Sequence, residues 1–302
     1  MKKQLFMILM ISSLVWIGCK DVNSIEPENK MGSVDLSNYN PASVSYSFKK
    51  NELVQGSLNT NDPLEIDSTG NYVSFWYSQW YYPNIHMETM NVDLKAYYDF
   101  QDCGEIKIGG VSMERTGFGP YHLRVAGNNP NQADHSKGEL EYPSLRYENN
   151  PVIEFGQSDI LDHFTQKLNL TDAVKIINFN PYISVDTQSD LAIQLNQTLQ
   201  PSDYGIQLWI YDDRLPKIGN YDVNCLTVSI NSPTNIVVIP SEKLKQIVSN
   251  LPIDNIKYSL VVYGNTYIKD DLIKMSSKLS GKTYGLPVST SSQLHETIYL
   301  KK

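Results

Sequence analysis

The sequence predicts an all-β protein built as two β-sandwich domains, with one short helix near residues 241–251. Three observations carry this reading. Apolar and polar residues alternate with period two along most of the chain, clusters of Asn, Gly, Pro and Ser separate the alternating runs, and helical spacing is confined to two places.

The chain opens on Lys2 and Lys3, then an apolar run from Leu5 to Met10 that continues through Ile11, Leu14, Val15, Trp16 and Ile17. This is the order of a secretory signal over residues 1–18, and the run is shorter than the roughly 20 apolar residues that a spanning helix needs. Trp16-Ile17-Gly18-Cys19 places a small residue and a cysteine where a cleavage site belongs. The tetrapeptide resembles the lipobox of bacterial lipoproteins. That resemblance implies that Cys19 receives a diacylglycerol, becomes the first mature residue and attaches the protein to a membrane. Lys20 and Asp21 resemble the export signal of Bacteroidetes-type surface lipoproteins, which implies an outer-membrane protein displayed at the cell surface. Two or more acyl chains make such an anchor stable, because each buried methylene contributes about 0.8 kcal/mol.

Residues 19–38 are polar and without apolar phase, so they read as a lipidated flexible tether with a coil span of about 20–25 Å. An N-terminal β domain is expected over 39–157 and a C-terminal one over 172–302, with the boundary near 158–171, since the mature chain is long for a single sandwich of about 100 residues. Strands are expected where Val44, Tyr46 and Phe48 alternate with serine, along Val92 to Phe100, at Leu191 to Leu195, at Ile206 to Ile210 and along Val223 to Ile230. Asn59 to Pro63, Gly127 to Pro130 and Asn231 to Thr234 read as turns. Leu244, Ile247, Val248 and Leu251 fall at helical spacing between Ser241, a candidate cap, and Pro252, which stops the helix. Asp159 to Leu168 is a second, weaker helical segment.

From Cys103 onward the order of features resembles a group of uncharacterised Bacteroidetes-type lipoproteins. The residues that carry this are the hairpin Gly104-Glu105-Ile106-Lys107-Ile108-Gly109-Gly110 with Tyr121 after it, then Ile239-Pro240-Ser241 with Leu244, then Tyr258 to Tyr263. The resemblance implies an immunoglobulin-like sandwich in the C-terminal half, with Ile-Pro introducing its helix and Tyr258 to Tyr263 as its final strand. It implies no catalytic residue.

Composition narrows the function. The formal charge of −8 falls to −10 once Lys2 and Lys3 leave with a signal that holds no acidic residue, and no cluster of Lys and Arg suits a nucleic-acid backbone. Of the three cysteines, Cys103 and Cys225 remain after Cys19, in a compartment where disulfides persist. Leu226, Val228 and Ile230 share one strand face, which puts Cys225 on the other. A Cys103–Cys225 bridge and two separate thiols both stay open, because pairing depends on a Cα separation below about 7 Å.

The chain lacks a Gly-x-Ser-x-Gly elbow, a His-Glu-x-x-His helix, a phosphate loop and an EF-hand loop. Gly117-Phe118-Gly119 reads as a turn. His86, His122, His135, His163 and His295 are scattered, so no metal and no cofactor is expected. Asp212-Asp213 and Asp270-Asp271 read as solvated turn residues in preference to calcium ligands, which must supply about six oxygens or more. Phe75 to Tyr82 is the most distinctive stretch. Strand alternation sends Phe75 and Tyr77 to one face and Trp76 and Ser78 to the other, so some aromatic surface is expected to be exposed. Core packing and cross-strand pairing is the competing reading of the same residues.

The expected role is therefore non-enzymatic: binding, or a structural part of the envelope surface, with a membrane held through lipid and a protein or glycan as partner. The alternative is a glycan-binding lipoprotein with Trp76, Trp80 and Tyr81 as its platform. A hydrolase whose site is assembled from residues distant in sequence comes third.

Overall fold

The computed structural model describes residues 31–50, 72–82, 85–95, 103–115, 121–126, 139–212, 214–215, 224–249 and 251–302. The signal, Cys19, Lys20 and Asp21, the tether up to residue 30, the turns at 59–63 and 127–130, and Gly117-Phe118-Gly119 lie outside them.

The described chain is all-β with one short α-helix. Its strands are β1 (Val44–Lys50), β2 (Tyr72–Tyr82), β3 (Ile85–Lys95), β4 (Ile106–Ile108), β5 (Val111–Ser112), β6 (Glu114–Arg115), β7 (Tyr121–Ala126), β8 (Val152–Phe155), β9 (Phe164–Lys167), β10 (Ile183–Asp186), β11 (Leu191–Leu199), β12 (Ser202–Ile210), β13 (Asn224–Ile230), β14 (Thr234–Ile239), β15 (Ile256–Ser276) and β16 (Thr283–Lys301), with α1 (Ser241–Val248) between β14 and β15. A ten-stranded sheet runs β1-β13-β12-β15-β16-β2-β3-β7-β6, and β10 also pairs with β16. A four-stranded sheet β5-β4-β8-β9 and a two-stranded sheet β11-β14 complete the fold.

Two apolar cores lie against one face of the large sheet. Core one joins Phe75, Tyr77, Met90 and Val92 of the large sheet to Ile106, Ile108, Ile153 and Phe155 of the four-stranded sheet. Core two joins Ile206, Leu208, Leu226, Val228 and Leu260 to Leu191, Ile193, Val237 and Ile239 of the small sheet, and to Leu244 and Ile247 of α1. The chain passes from one core to the other between Ala173 and Val174. The long β15–β16 hairpin serves both, through Ile273, Met275, Leu286 and Val288 in core one and Leu294, Ile298 and Leu300 in core two. Strand β1, early in sequence, pairs with β13, and β2 lies parallel to β16.

Local chemistry explains several elements. Gly109 and Gly110, with φ of 56° and 85°, form the two-residue turn of the β4–β5 hairpin, where both central residues need positive φ. Gly264 on β15 permits a close crossing: a Cβ there would meet Val174 Cβ and Ser292 Oγ at 2.8 Å each. Substituting Gly264→Ala is therefore expected to destabilise the chain by about 1–3 kcal/mol in urea unfolding, as overpacking does.

Three expectations need correction. Asp159 to Leu168 is not helical; it ends in β9, where Phe164 stacks on Phe155 of β8 with ring centroids 4.6 Å apart, and this packing decides against helical spacing. Ser241 does not cap α1, since Pro240 occupies the cap position and the Ser241 N–H donates to Asp190 Oδ1 at 2.8 Å. Tyr258 to Tyr263 is not the final strand, because it belongs to β15 and β16 follows. Among the described residues no helix is long and apolar enough to cross a membrane.

Candidate functional site

The large sheet has an inner face against the cores and an outer face away from them. In β2 the alternation falls as the sequence indicates. Val73, Phe75 and Tyr77 are buried in core one, while Trp76 and Trp80 point outward and are partly exposed. Tyr81 turns the other way and packs against core two. The three aromatic residues expected as one platform therefore occupy two faces of the sheet.

The outer face has two regions. Around Trp76 it is partly exposed: Arg124, Asn91, Trp76 and Ser291 stand in one row across β7, β3, β2 and β16. Arg124 is exposed and the other three partly so. The neighbouring row is His122, Asp93, Ser74 and Ser289, in which His122 Nδ1 pairs with Asp93 Oδ1. The Trp76 indole N–H donates to Ser78 Oγ at 2.6 Å, which fixes the ring. Four side chains at strand spacings of about 4.8 Å thus make a strip with one flat apolar ring among an amide, a hydroxyl and a guanidinium.

Around Trp80 the outer face is buried. His295, 5% exposed, stacks on Trp80 with centroids 3.6 Å apart and planes within 10°. Burial holds the His295 imidazole down at about 3, so it is neutral at neutral pH. Further along, the Trp209 indole N–H donates to Gln207 Oε1 at 2.8 Å, and Tyr263 donates to the same oxygen. Trp80 thus has one ring face committed inside the protein.

The inner face carries charge where the cores meet. Glu88, 3% exposed, lies in phase with Met90, Val92 and Leu94. Its Oε2 accepts the Leu140 N–H at 3.0 Å and the Arg146 Nε and Nη2 at 3.0 and 2.8 Å. Burial would raise the Glu88 carboxyl, but these donors outweigh it and hold the group below the ordinary glutamate range. Next to Arg146, Tyr147 donates to Ser291 O at 2.8 Å and packs on Tyr77 with centroids 5.4 Å apart. Glu88 thereby fastens the segment at 139–150 over the junction. Glu296 sits on the same face between Leu294 and Ile298, buried at 5% exposure, and its Oε2 has no hydrogen-bond partner. Burial pushes its carboxyl up to about 8.

The remaining candidates are placed as follows. Cys103 is buried in core one, and its backbone N–H donates to the Tyr121 hydroxyl at 2.9 Å. Cys225 lies on β13 opposite Lys49, and its side chain is outside the described ones, so mass spectrometry without reductant decides the bridge. Asp212 is tied to Arg214 and to the Lys257 N–H; burial raises its carboxyl, these partners outweigh that, and it rests at about 2. Asp213 and the side chains of Asp270, Asp271 and His86 lie outside the described ones, as does His135. His163 is exposed. Among the described residues no three His, Cys, Asp or Glu side chains are grouped to hold a metal.

Sequence reasoning missed Glu88, Arg146, Glu296 and the Trp76 row. The first and third had a readable signal, a carboxylate standing in an apolar phase of its strand. The row had none, because it joins four strands distant in sequence. No protein-family model matches this chain, and no curated protein matches its sequence.

Proposed function

We propose that this chain is a lipid-anchored protein of the bacterial cell envelope, attached through Cys19, that binds a glycan non-enzymatically on the partly exposed strip around Trp76. The observation that carries the binding half is a partly exposed indole whose N–H is already used by Ser78, standing between Asn91 and Ser291 with Arg124 at the end of the row. A ring fixed in this way offers a carbon face for the C–H side of a sugar, while the amide and hydroxyl beside it reach sugar hydroxyls. Arg124 suits an acidic sugar, since a guanidinium bonds a carboxylate in two places. Trp80 and Tyr81 support the strand in this reading and do not touch the ligand.

The lipid anchor rests on the order of basic residues, apolar run, Gly18 and Cys19. Cells fed a palmitate analogue should label the parent chain and leave Cys19→Ala unlabelled. Label on the variant would place the attachment elsewhere.

Binding is tested with the full chain in detergent micelles, titrated calorimetrically with neutral and uronic-acid oligosaccharides. Trp76→Ala should weaken binding by a factor of about ten or more, given the roughly 1.4 kcal/mol behind each tenfold step. Its unfolding midpoint should stay close to the parent's. Unchanged affinity in Trp76→Ala, or no binding by the parent across the series, rejects the strip as a glycan site.

A further inference from the structure

The edge of β16 changes partner beside Glu296. Parallel pairing with β2 runs from Val288 to Glu296, and parallel pairing with β10 begins at Ile298. At the joint, Thr297 links both sides: its Oγ1 donates to Tyr81 O at 2.8 Å, and its carbonyl accepts the Tyr182 N–H at 2.8 Å. Tyr182 holds a φ of 70°, an uncommon conformation for a bulky side chain. Glu296 thus lies where the end of one strand and the start of another abut, inside a core, with one carboxyl oxygen unsatisfied.

We propose that Glu296 is a proton-operated latch: its neutral carboxyl closes the joint where β2 and β10 meet along β16, and its ionisation loosens that joint. A neutral carboxyl can be buried beside Leu294 and Ile298 at modest cost, whereas a carboxylate there demands water or a cation. Among the described side chains no cation pairs with it, and burial alone displaces its carboxyl. Tyr81 on β2 and Tyr182 before β10 have phenols pushed up to about 12, by burial first and then by Glu296. Tyr258 faces the same core from β15. Glu88 on β3 is negative, and Arg146 is engaged with it. His86 stands opposite Tyr81 on β3, with its side chain outside the described ones.

The sign follows from the two states. Glu296 has an ordinary value of 4.5 and rests at about 8 in the fold, so the folded chain retains a proton that the unfolded chain has lost. Its stabilisation is full below about 4.5, declines as pH rises, and is gone above about 8. His295 runs the other way: held at about 3 against an ordinary 6.5, it destabilises the fold only as pH falls below 6.5. The interval between 6.5 and 8 therefore separates Glu296 from His295.

The test follows the full chain in detergent by hydrogen exchange from pH 6.5 to 8.5, comparing amides in the β2–β16 pairing near Gln79 to Tyr81 with amides in β12–β13. The ratio cancels the intrinsic pH dependence of exchange. The parent should show the β2–β16 amides speeding up by roughly tenfold relative to the reference pair, one pH unit's worth of linkage. Glu296→Gln, or Glu296→Met if the first variant folds poorly, should hold the ratio constant. A constant ratio in the parent, or the same rise in the variants, overturns the latch. The outcome is independent of glycan binding at Trp76.

Discussion

Replacing Glu88 with alanine should be among the most damaging single changes to this chain, lowering stability by about 3–5 kcal/mol. The change leaves the Arg146 guanidinium and the Leu140 N–H without their common acceptor inside the junction. Arg146 is about one-fifth exposed, which places the expectation toward the lower end of that range. Glu88→Gln keeps an acceptor without the charge and should lose less. Urea unfolding of the two variants beside the parent, with Arg146→Met and the double variant, gives the coupling energy directly. A loss below about 1 kcal/mol for Glu88→Ala would mean that the segment at 139–150 is held by Tyr147 and its carbonyl acceptor instead. The pH dependence has a definite sign. Because the Glu88 carboxyl is depressed in the fold, its contribution is present above 4.5 and is lost as pH falls below that value.

Phe75→Ala should cost a comparable 3–5 kcal/mol, as truncation of a buried aromatic does. Phe75 is wholly buried in core one, between Val73 and Tyr77 on the inner face of β2. Trp76 is the next residue and the larger side chain, yet it lies partly exposed on the outer face. Its truncation should therefore cost less than that of Phe75. Thermal melts of the two variants, made in parallel, measure the contrast. If Trp76→Ala proved the more destabilising, the indole would be a structural support and the glycan strip would lose its centre.

The alternation that separates these two residues was legible in the sequence, and so was the β character of the chain. Val44, Tyr46 and Phe48 turn toward core two, and Leu191, Ile193 and Leu195 lie buried within it, because a strand places every second residue on one side whatever it pairs with. The helix near 241 was legible for a similar reason, from Leu244, Ile247 and Val248 at helical spacing. Its capping was not, since the acceptor is Asp190, about fifty residues earlier in the chain. The segment ending at Leu168 misled because short apolar runs fit either period. The Phe155–Phe164 stack, a contact between β8 and β9, decided it.

The sequence by itself determined the all-β class, the inward and outward alternation in the strands it marked, the helix near 241, and the basic, apolar and small-residue order ending at Cys19 on which the anchor proposal rests. These are properties of neighbouring residues, set by backbone geometry and the removal of apolar surface from water. Tertiary structure alone decided which strands share the large sheet, that β2 lies parallel to β16 while β10 continues along the same edge, and that Trp76 meets Asn91, Ser291 and Arg124. It also decided that Glu88 and Glu296, two ordinary acidic residues in the sequence, are buried with their carboxyls displaced in opposite directions. The reason is that pairing partners and local dielectric depend on contacts between segments far apart in the chain, and no local pattern encodes them.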